Sequence, residues 1–155
     1  MIYIKQNRVN FILLSLLICL LDQLIKYFIS IDYKSIVKTD LIIFTIDYVK
    51  NFGAAFNIFS GSRIFLSTVS ILFSLILIYF ILKNNINKTI DLLSYSFILG
   101  GSLGNGIDRI FKGYVVDFIN LNFINFPIFN LADIAINIGF FLIFYNLFKL
   151  RQSHV

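Results

Sequence analysis

Four long apolar segments alternate with short polar ones along this chain. They cover about residues 11–29, 64–82, 92–109 and 129–148. Each approaches the ~20 residues that an α-helix needs to cross the hydrocarbon core of a bilayer. The pattern therefore predicts an all-α membrane protein with four transmembrane helices, forming a single domain over residues 1–155.

The polar segment between the first two apolar ones contains a different pattern. Leu41–Val49 is rich in β-branched and aromatic residues, as strands are, and Asn51–Phe56 supplies a turn and small residues. We expect the residues that follow, up to Arg63, to form a short helix. The prediction is a small extracytoplasmic β element and a short interfacial helix at the membrane surface.

Composition supports a bilayer as the solvent of this chain. Hydrophobic residues make up 59% of its 155 residues and charged residues only 14%, which is more apolar surface than a soluble domain of this length can bury. The net charge of +5 comes from Lys and Arg residues scattered singly between the apolar segments, without the basic face that nucleic-acid binding needs. We expect contact with anionic phospholipid and no nucleic-acid binding.

Several site classes are excluded by residue counts. The one cysteine, Cys19, cannot form an internal disulfide or a cysteine cluster, and the one histidine, His154, stands at the C-terminus. Serine or cysteine nucleophiles activated by histidine are therefore excluded, and we expect no metal and no cofactor.

The first apolar segment needs to be distinguished from a cleaved leader. Basic residues followed by an apolar run to Cys19 resemble a secretory or lipoprotein leader. Ile18 is too large for the small residue that cleavage sites require, and the charged pair Asp22 and Lys26 continues the helical pattern. We expect this segment to be retained.

Charge distribution predicts the orientation. Four spans put both termini and the loop from Lys83 to Asp91 on one side, and the Lys and Arg residues there are dense, which favours the cytoplasm. The residues that interrupt the apolar pattern then share the extracytoplasmic face: Asp22, Lys26, Asp108, Arg109, Asp117 and Asp133.

Asp117 and Asp133 are the main candidates for chemistry. A carboxylate in or beside hydrocarbon costs several kcal/mol unless it is paired, neutralised or hydrated, so such acids commonly mark function. Two neighbouring carboxyl groups in a low dielectric share one proton, and the ionised one can then activate a water molecule. The alternative is that Asp133 only caps a helix and Asp117 is a solvated loop acid.

Other polar residues have helical spacing. Asn105 and Arg109 are four positions apart, and Asn130 precedes Asp133 by three, so each pair would share a helix face. For Arg109 the alternative is an interfacial anchor or a partner for Asp108.

Two further spacings indicate packing. Asp22 and Lys26 have the order that favours an intrahelical ion pair. Gly100 and Gly104 have the spacing that lets transmembrane helices approach closely, and neither a preceding strand nor a Gly-Lys-Ser/Thr sequence supports a phosphate loop.

Five strings occur in order: Asp22-Gln-Leu-Ile-Lys26, Asn51-Phe-Gly-Ala-Ala-Phe56, Gly100-Gly-Ser-Leu-Gly-Asn-Gly-Ile-Asp-Arg109, Val115-Val-Asp-Phe-Ile119 and Phe129-Asn-Leu-Ala-Asp133. Together they resemble the bacterial lipoprotein signal peptidases, or signal peptidase II, from Asp22 to about Asn137. Gly106 departs from the family pattern, where a larger apolar residue is usual.

The resemblance implies a function and a site. It implies an aspartic endopeptidase of the bacterial cytoplasmic membrane that removes signal peptides from precursors whose cysteine carries a diacylglyceryl group, cutting just before that cysteine. We expect the protein to be a monomer. Asp117 and Asp133 match the family's catalytic pair. The resemblance implies substrate-binding or supporting roles for these residues: Asn51, Gly53, Asn105, Arg109 and Asn130.

Two other classes stay open at this point. Intramembrane acids also mark transporters and proton channels, although here they collect at one face. A metal-dependent enzyme acting on lipid head groups is the third class, although the clustered Asp-x-x-Asp pattern is missing from the sequence.

Overall fold

A computed structural model describes residues 2–32, 34, 39–54, 58–83 and 89–152. Its elements, in chain order, are α1 (Ile2–Ile31), β1 (Thr39–Asp40), β2 (Phe44–Asn51), α2 (Arg63–Leu82), α3 (Thr89–Phe111), β3 (Val115–Leu121) and α4 (Leu131–Gln152). The fold is mostly helical, with one small sheet.

Three helices in the described part of the chain are long and apolar enough to cross a membrane. The spans are Arg8–Ile31, Arg63–Leu82 and Leu131–Lys149, which correspond to three of the four predicted segments. The remaining segment, 92–109, lies within α3, which has 23 residues, includes several Gly and Ser residues and is not one of these three. A fourth transmembrane helix therefore stays a prediction.

Helix α3 is the central helix, packed against α1, α2 and α4. A Cβ added at Gly100 would lie 2.7 Å from Cβ of Ile18, and one at Gly104 would lie 2.5 Å from Oδ2 of Asp22. Both glycines therefore face α1, as their spacing predicts. On the side of α4, a Cβ at Gly139 would lie 2.7 Å from the backbone oxygen of Ser94. Small residues thus let α3 approach its neighbours, which shield its polar groups.

Arginines satisfy backbone carbonyls at two helix ends. Arg8 of α1 donates to the backbone oxygens of Ile81 (3.1 Å) and Leu82 (2.8 Å), where α2 ends. At the opposite end of the bundle, Arg63 Nε donates to the backbone oxygen of Arg109 at 3.1 Å, near the end of α3. The last carbonyls of a helix have no intrahelical donor, so these guanidinium groups stabilise both ends.

The sheet has the order β1-β2-β3, with antiparallel neighbours. The predicted strand within Leu41–Val49 is confirmed as β2, although β2 begins later and extends to Asn51. In β3, Asp117 pairs with Val49 across a register shift in β2. Asp117 therefore lies in a strand and not in a loop, because Val115–Leu121 completes the sheet that β2 began.

The expected short helix before Arg63 is not found in the described residues. Residues 58–61 form turns, whereas residues 55–57 lie outside the described part of the chain. Phe59 has φ of 57° and Gly61 has φ of 84°. These left-handed conformations cannot continue a right-handed helix, which explains the turn.

Candidate active site

Asp117 is buried in the middle of β3, with 2% of its surface exposed. Its Oδ2 accepts a hydrogen bond from Asn51 Nδ2 at 2.9 Å, and its Oδ1 accepts one from Asn130 Nδ2 at 2.6 Å. Burial raises the pKa of Asp117 to about 6; the two amide donors oppose this rise, and the neighbouring charge of Asp133 adds to it. This is not a solvated loop acid, so that alternative is wrong.

Asp133 lies in the first turn of α4 and is partly exposed. Its Oδ2 accepts from the backbone N–H of Asn130 at 3.1 Å, and its own N–H donates to Asn130 Oδ1 at 3.0 Å. This reciprocal pair is a capping box, so Asp133 does cap the helix. Its Oδ1 also accepts from Asn105 Nδ2 of α3 at 2.8 Å, which capping alone does not require.

Asn130 connects the two acids. It precedes Leu131, the first residue of α4, so the expectation that it shares a helix face with Asp133 is wrong. As the capping residue it contacts Asp133 through its backbone and Oδ1, while its Nδ2 reaches Asp117. The two acids, 16 positions apart in sequence, therefore meet around one residue.

The amide groups of Asn51 and Asn130 have a fixed orientation. Asn51 Oδ1 accepts from the backbone N–H of Gly53 at 2.9 Å, and Asn130 Oδ1 accepts from that of Asp133. Because each carbonyl oxygen is occupied by a backbone donor, each NH₂ group must face Asp117. Both side chains act as donors to this carboxyl group.

Arg109 holds the turn that follows β2. Its Nη2 donates to the backbone oxygen of Gly53 at 3.0 Å, next to the contact that orients Asn51. Its Nε is buried without a partner among the described residues. Asp108 bonds instead to Lys26 (3.1 Å) and Lys112 (2.8 Å), so pairing of Arg109 with Asp108 is not its role.

A buried ionic cluster lies behind the site. Lys26 Nζ is 2.8 Å from Asp22 Oδ2, the pair that the spacing predicts, and 3.1 Å from Asp108 Oδ2. Asp22 Oδ1 accepts from the backbone N–H of Ala132 at 2.9 Å, which attaches α1 to the start of α4. Sequence reasoning missed the place of Asp108 in this cluster, although its position three residues after Asn105 put it on the same face of α3.

Both acids line a cavity of about 820 Å³. Asn51, Asn105, Arg109, Asp117 and Asp133 line it together, so the structure brings five of the predicted site residues to one space. The rest of the lining is mostly apolar and includes Phe73, Ile124, Phe126, Ile134, Ile138 and Phe141. In the described part of the chain, no three His, Cys, Asp or Glu side chains lie close enough together to hold a metal ion.

Residues 14–149 match the sequence profile of the family described as Signal peptidase (SPase) II. The chain belongs to the signal peptidase II family. It is 42% identical over 152 residues to the lipoprotein signal peptidase of Gloeothece citriformis, covering 96% of this chain and 94% of that one. The lipoprotein signal peptidase of Pasteurella multocida is 36% identical, with the same coverage of both chains.

Solved structures agree with this assignment. A bacterial membrane enzyme determined at 2.3 Å resolution superposes with a TM-score of 0.83 at 33% identity, covering 93% of this chain and 90% of that one. Another bacterial membrane enzyme, determined at 1.9 Å resolution, superposes with a TM-score of 0.80 at 35% identity, covering 90% of this chain and 93% of that one. The chain thus has the fold of a membrane-embedded enzyme, and its family is one of peptidases.

Proposed function

We propose that this chain is an aspartic endopeptidase that removes signal peptides from lipid-modified lipoprotein precursors, with Asp117 and Asp133 as its catalytic residues. One observation carries the proposal: Asn130 bonds to both acids, which line a largely apolar cavity. Asn51, Gly53, Asn105, Arg109 and Asn130 orient the acids or hold the peptide.

The surroundings of the two acids favour different charge states. Asp117 is the more buried, and its pKa is raised to about 6, so it keeps the shared proton more readily. Because the pair shares one proton, Asp133, which is partly exposed in the first turn of α4, is the ionised partner. Asp133 is therefore the base and Asp117 the acid.

The reaction follows from these charge states. Ionised Asp133 takes a proton from a water molecule whose oxygen attacks the scissile carbonyl carbon, while Asp117 gives its proton to the carbonyl oxygen. The tetrahedral intermediate collapses when the C–N bond breaks, and the proton on Asp133 passes to the leaving nitrogen. Asp117 recovers its proton from the intermediate, which restores the starting state without a covalent intermediate.

The substrate class rests on the relatives and on the cavity. Both relatives are named lipoprotein signal peptidases. Apolar walls of Phe and Ile next to the acids suit acyl chains of a diacylglyceryl cysteine, and a volume of about 820 Å³ is in the range of small-molecule sites. The acyl chains would remain in apolar surroundings while the preceding peptide bond reaches the acids.

The membrane arrangement completes the proposal. We infer that α3 is a fourth span shielded by its three neighbours, and that residues 1–155 form one domain acting as a monomer in the bacterial cytoplasmic membrane. Both termini face the cytoplasm, and the acids lie at the extracytoplasmic face. The density of Lys and Arg around the termini supports this orientation.

Paired substrates test the function directly. Purified protein is incubated with a diacylglyceryl-modified precursor and with its unmodified twin, with and without a chelator. We expect cleavage of only the lipidated precursor, before its cysteine, in both conditions. Cleavage that needs a divalent ion would contradict the mechanism, and equal cleavage of both precursors would contradict the substrate class.

A further inference from the structure

We propose that Lys26 is a positioning residue that fixes the amide group of Asn105 so that its N–H group faces Asp133. The inference rests on the proposed function, in which Asp133 is the base. Neither the catalytic pair nor the cavity includes Lys26, whose side chain is fully buried between α1 and α3.

Lys26 has three N–H donors and three oxygen partners. Besides Asp22 Oδ2 (2.8 Å) and Asp108 Oδ2 (3.1 Å), Nζ lies 2.8 Å from Asn105 Oδ1. An ammonium group can only donate hydrogen bonds, so each of its partners must present an acceptor, which here is an oxygen. An inverted Asn105 amide would place its NH₂ group against the ammonium.

Asn105 is therefore held in one of its two orientations. Its Oδ1 accepts from Lys26 Nζ and from Asn130 Nδ2 (3.1 Å), and its Nδ2 donates to Asp133 Oδ1 (2.8 Å). Without Lys26, only the amide donor of Asn130 would oppose rotation about the last side-chain bond. Rotation would present an oxygen to the Asp133 carboxylate and remove one of its donors.

The formal charges of the cluster around Lys26 balance. Lys26 and Lys112 face Asp22 and Asp108, two cations with two anions, and three of these four side chains are fully buried. A buried cation would be costly without such partners, which explains why the lysine is embedded in a cluster of acids.

Lys112 provides a matched control. Both lysines bond to Asp108, but Lys112 is one-third exposed and its ion pair is at the outer side of the cluster, whereas Lys26 contacts Asn105. We expect Lys26→Met to lower kcat by about 10- to 100-fold, the range for groups that orient reactive ones, with little change in KM. Lys112→Met should leave kcat near its wild-type value.

Lys26→Met alone leaves two buried acids facing one another, so a second variant restores the balance. Lys26→Met with Asp22→Asn keeps one cation and one anion, and the new amide can still accept from the backbone N–H of Ala132 through its oxygen. A loss of kcat in this folded variant supports the proposal. Wild-type kcat in it, or an equal loss in Lys112→Met, would overturn it.

A double-mutant cycle separates positioning from general packing. Asn105→Leu should lower kcat to a similar extent, and adding Lys26→Met should lower it no further, because both changes remove the same donor from Asp133. If the kcat losses of the two single variants multiply in the double variant, the proposal is overturned. Wild-type kcat in Asn105→Leu would also overturn it, and this test does not require that the lysine variants fold. Asp133→Asn is assayed alongside: if it is active, the proposed function itself is wrong.

Discussion

Asn130 Nδ2 lies 2.6 Å from Asp117 Oδ1, although Asn130 caps a helix and Asp117 lies in the middle of a strand. This contact joins the sheet to the first turn of α4. Asn130 also caps α4, so both the start of this helix and the placement of the two acids depend on its side chain.

Substitutions at Asn130 should separate these two roles. Serine also caps helices well but is too short to reach Asp117 and Asn105 together, whereas alanine can do neither. We expect Asn130→Ser to unfold near the wild-type temperature with kcat lowered about 10- to 100-fold. Asn130→Ala should in addition lose about 1 kcal/mol of stability. Thermal unfolding and cleavage assays check this, and full activity of the serine variant would contradict it.

Changing either acid to its amide should stop turnover without preventing substrate binding. General acid and base groups each contribute about 10²- to 10⁴-fold, and Asn can supply neither proton transfer. We expect Asp117→Asn and Asp133→Asn to lose at least that factor in kcat. The double variant should be little worse than either one, because the acids act as a unit. Binding of lipidated precursor to the inactive variants is the control for folding.

Asp117 should make the folded state less stable as pH rises. Burial raises its folded pKa to about 6 from 3.8, so the folded protein binds this proton more tightly than the unfolded chain does. The contribution of Asp117 to the free energy of unfolding is fully present below pH 3.8 and is lost as pH rises through 6. The pKa difference between the folded and unfolded states corresponds to roughly 3 kcal/mol of stability.

The measurement compares wild type with Asp117→Asn in thermal unfolding from about pH 4 to pH 7, the interval that brackets the shifted pKa. The other acids titrate in both proteins, so the difference between the two curves reports Asp117 together with its coupling to Asp133. We expect the wild type to lose stability relative to the variant across this interval. Parallel curves would mean that the environment of Asp117 does not hold its proton.

Two glycines of α3 should respond differently to alanine. A Cβ at Gly101 would overlap the backbone oxygen of Ala132, next to Asp133, whereas one at Gly106 would lie 3.2 Å from Ser70 Cβ, which needs only a small shift. We expect Gly101→Ala to cost about 1–3 kcal/mol, as overpacking does, and to lower kcat by displacing the start of α4. Gly106→Ala should change stability and kcat little. Equal effects of the two substitutions would contradict this packing.

Local sequence patterns were sufficient to predict some parts of this structure. Three long apolar runs are helices long enough to span a bilayer, because apolar length is a property of consecutive residues. The Asp22–Lys26 pair and the approach of α1 at Gly100 and Gly104 also follow helical spacing. The identities of the candidate site residues came from ordered strings that resemble one family.

Contacts between distant segments required the tertiary structure. Val115–Leu121 has β-branched and aromatic residues that suit a strand, but it is a strand because β2, more than sixty residues earlier, offers it a partner. Likewise, α3 tolerates Gly, Ser and Asn because three helices surround it. The amide orientations of Asn51, Asn105 and Asn130 depend on donors from other elements or from turns.

The sequence by itself thus determined the apolar helices, the local ion pair and which residues were candidates for chemistry. The tertiary structure alone decided that Asp117 is buried in a strand, that Asn130 connects it to Asp133, and that Lys26 reaches Asn105. The physical reason is the distance along the chain over which each kind of interaction acts. Helical periodicity is set by neighbours along the chain, whereas burial and hydrogen-bond partners are set by whatever the folded chain brings alongside.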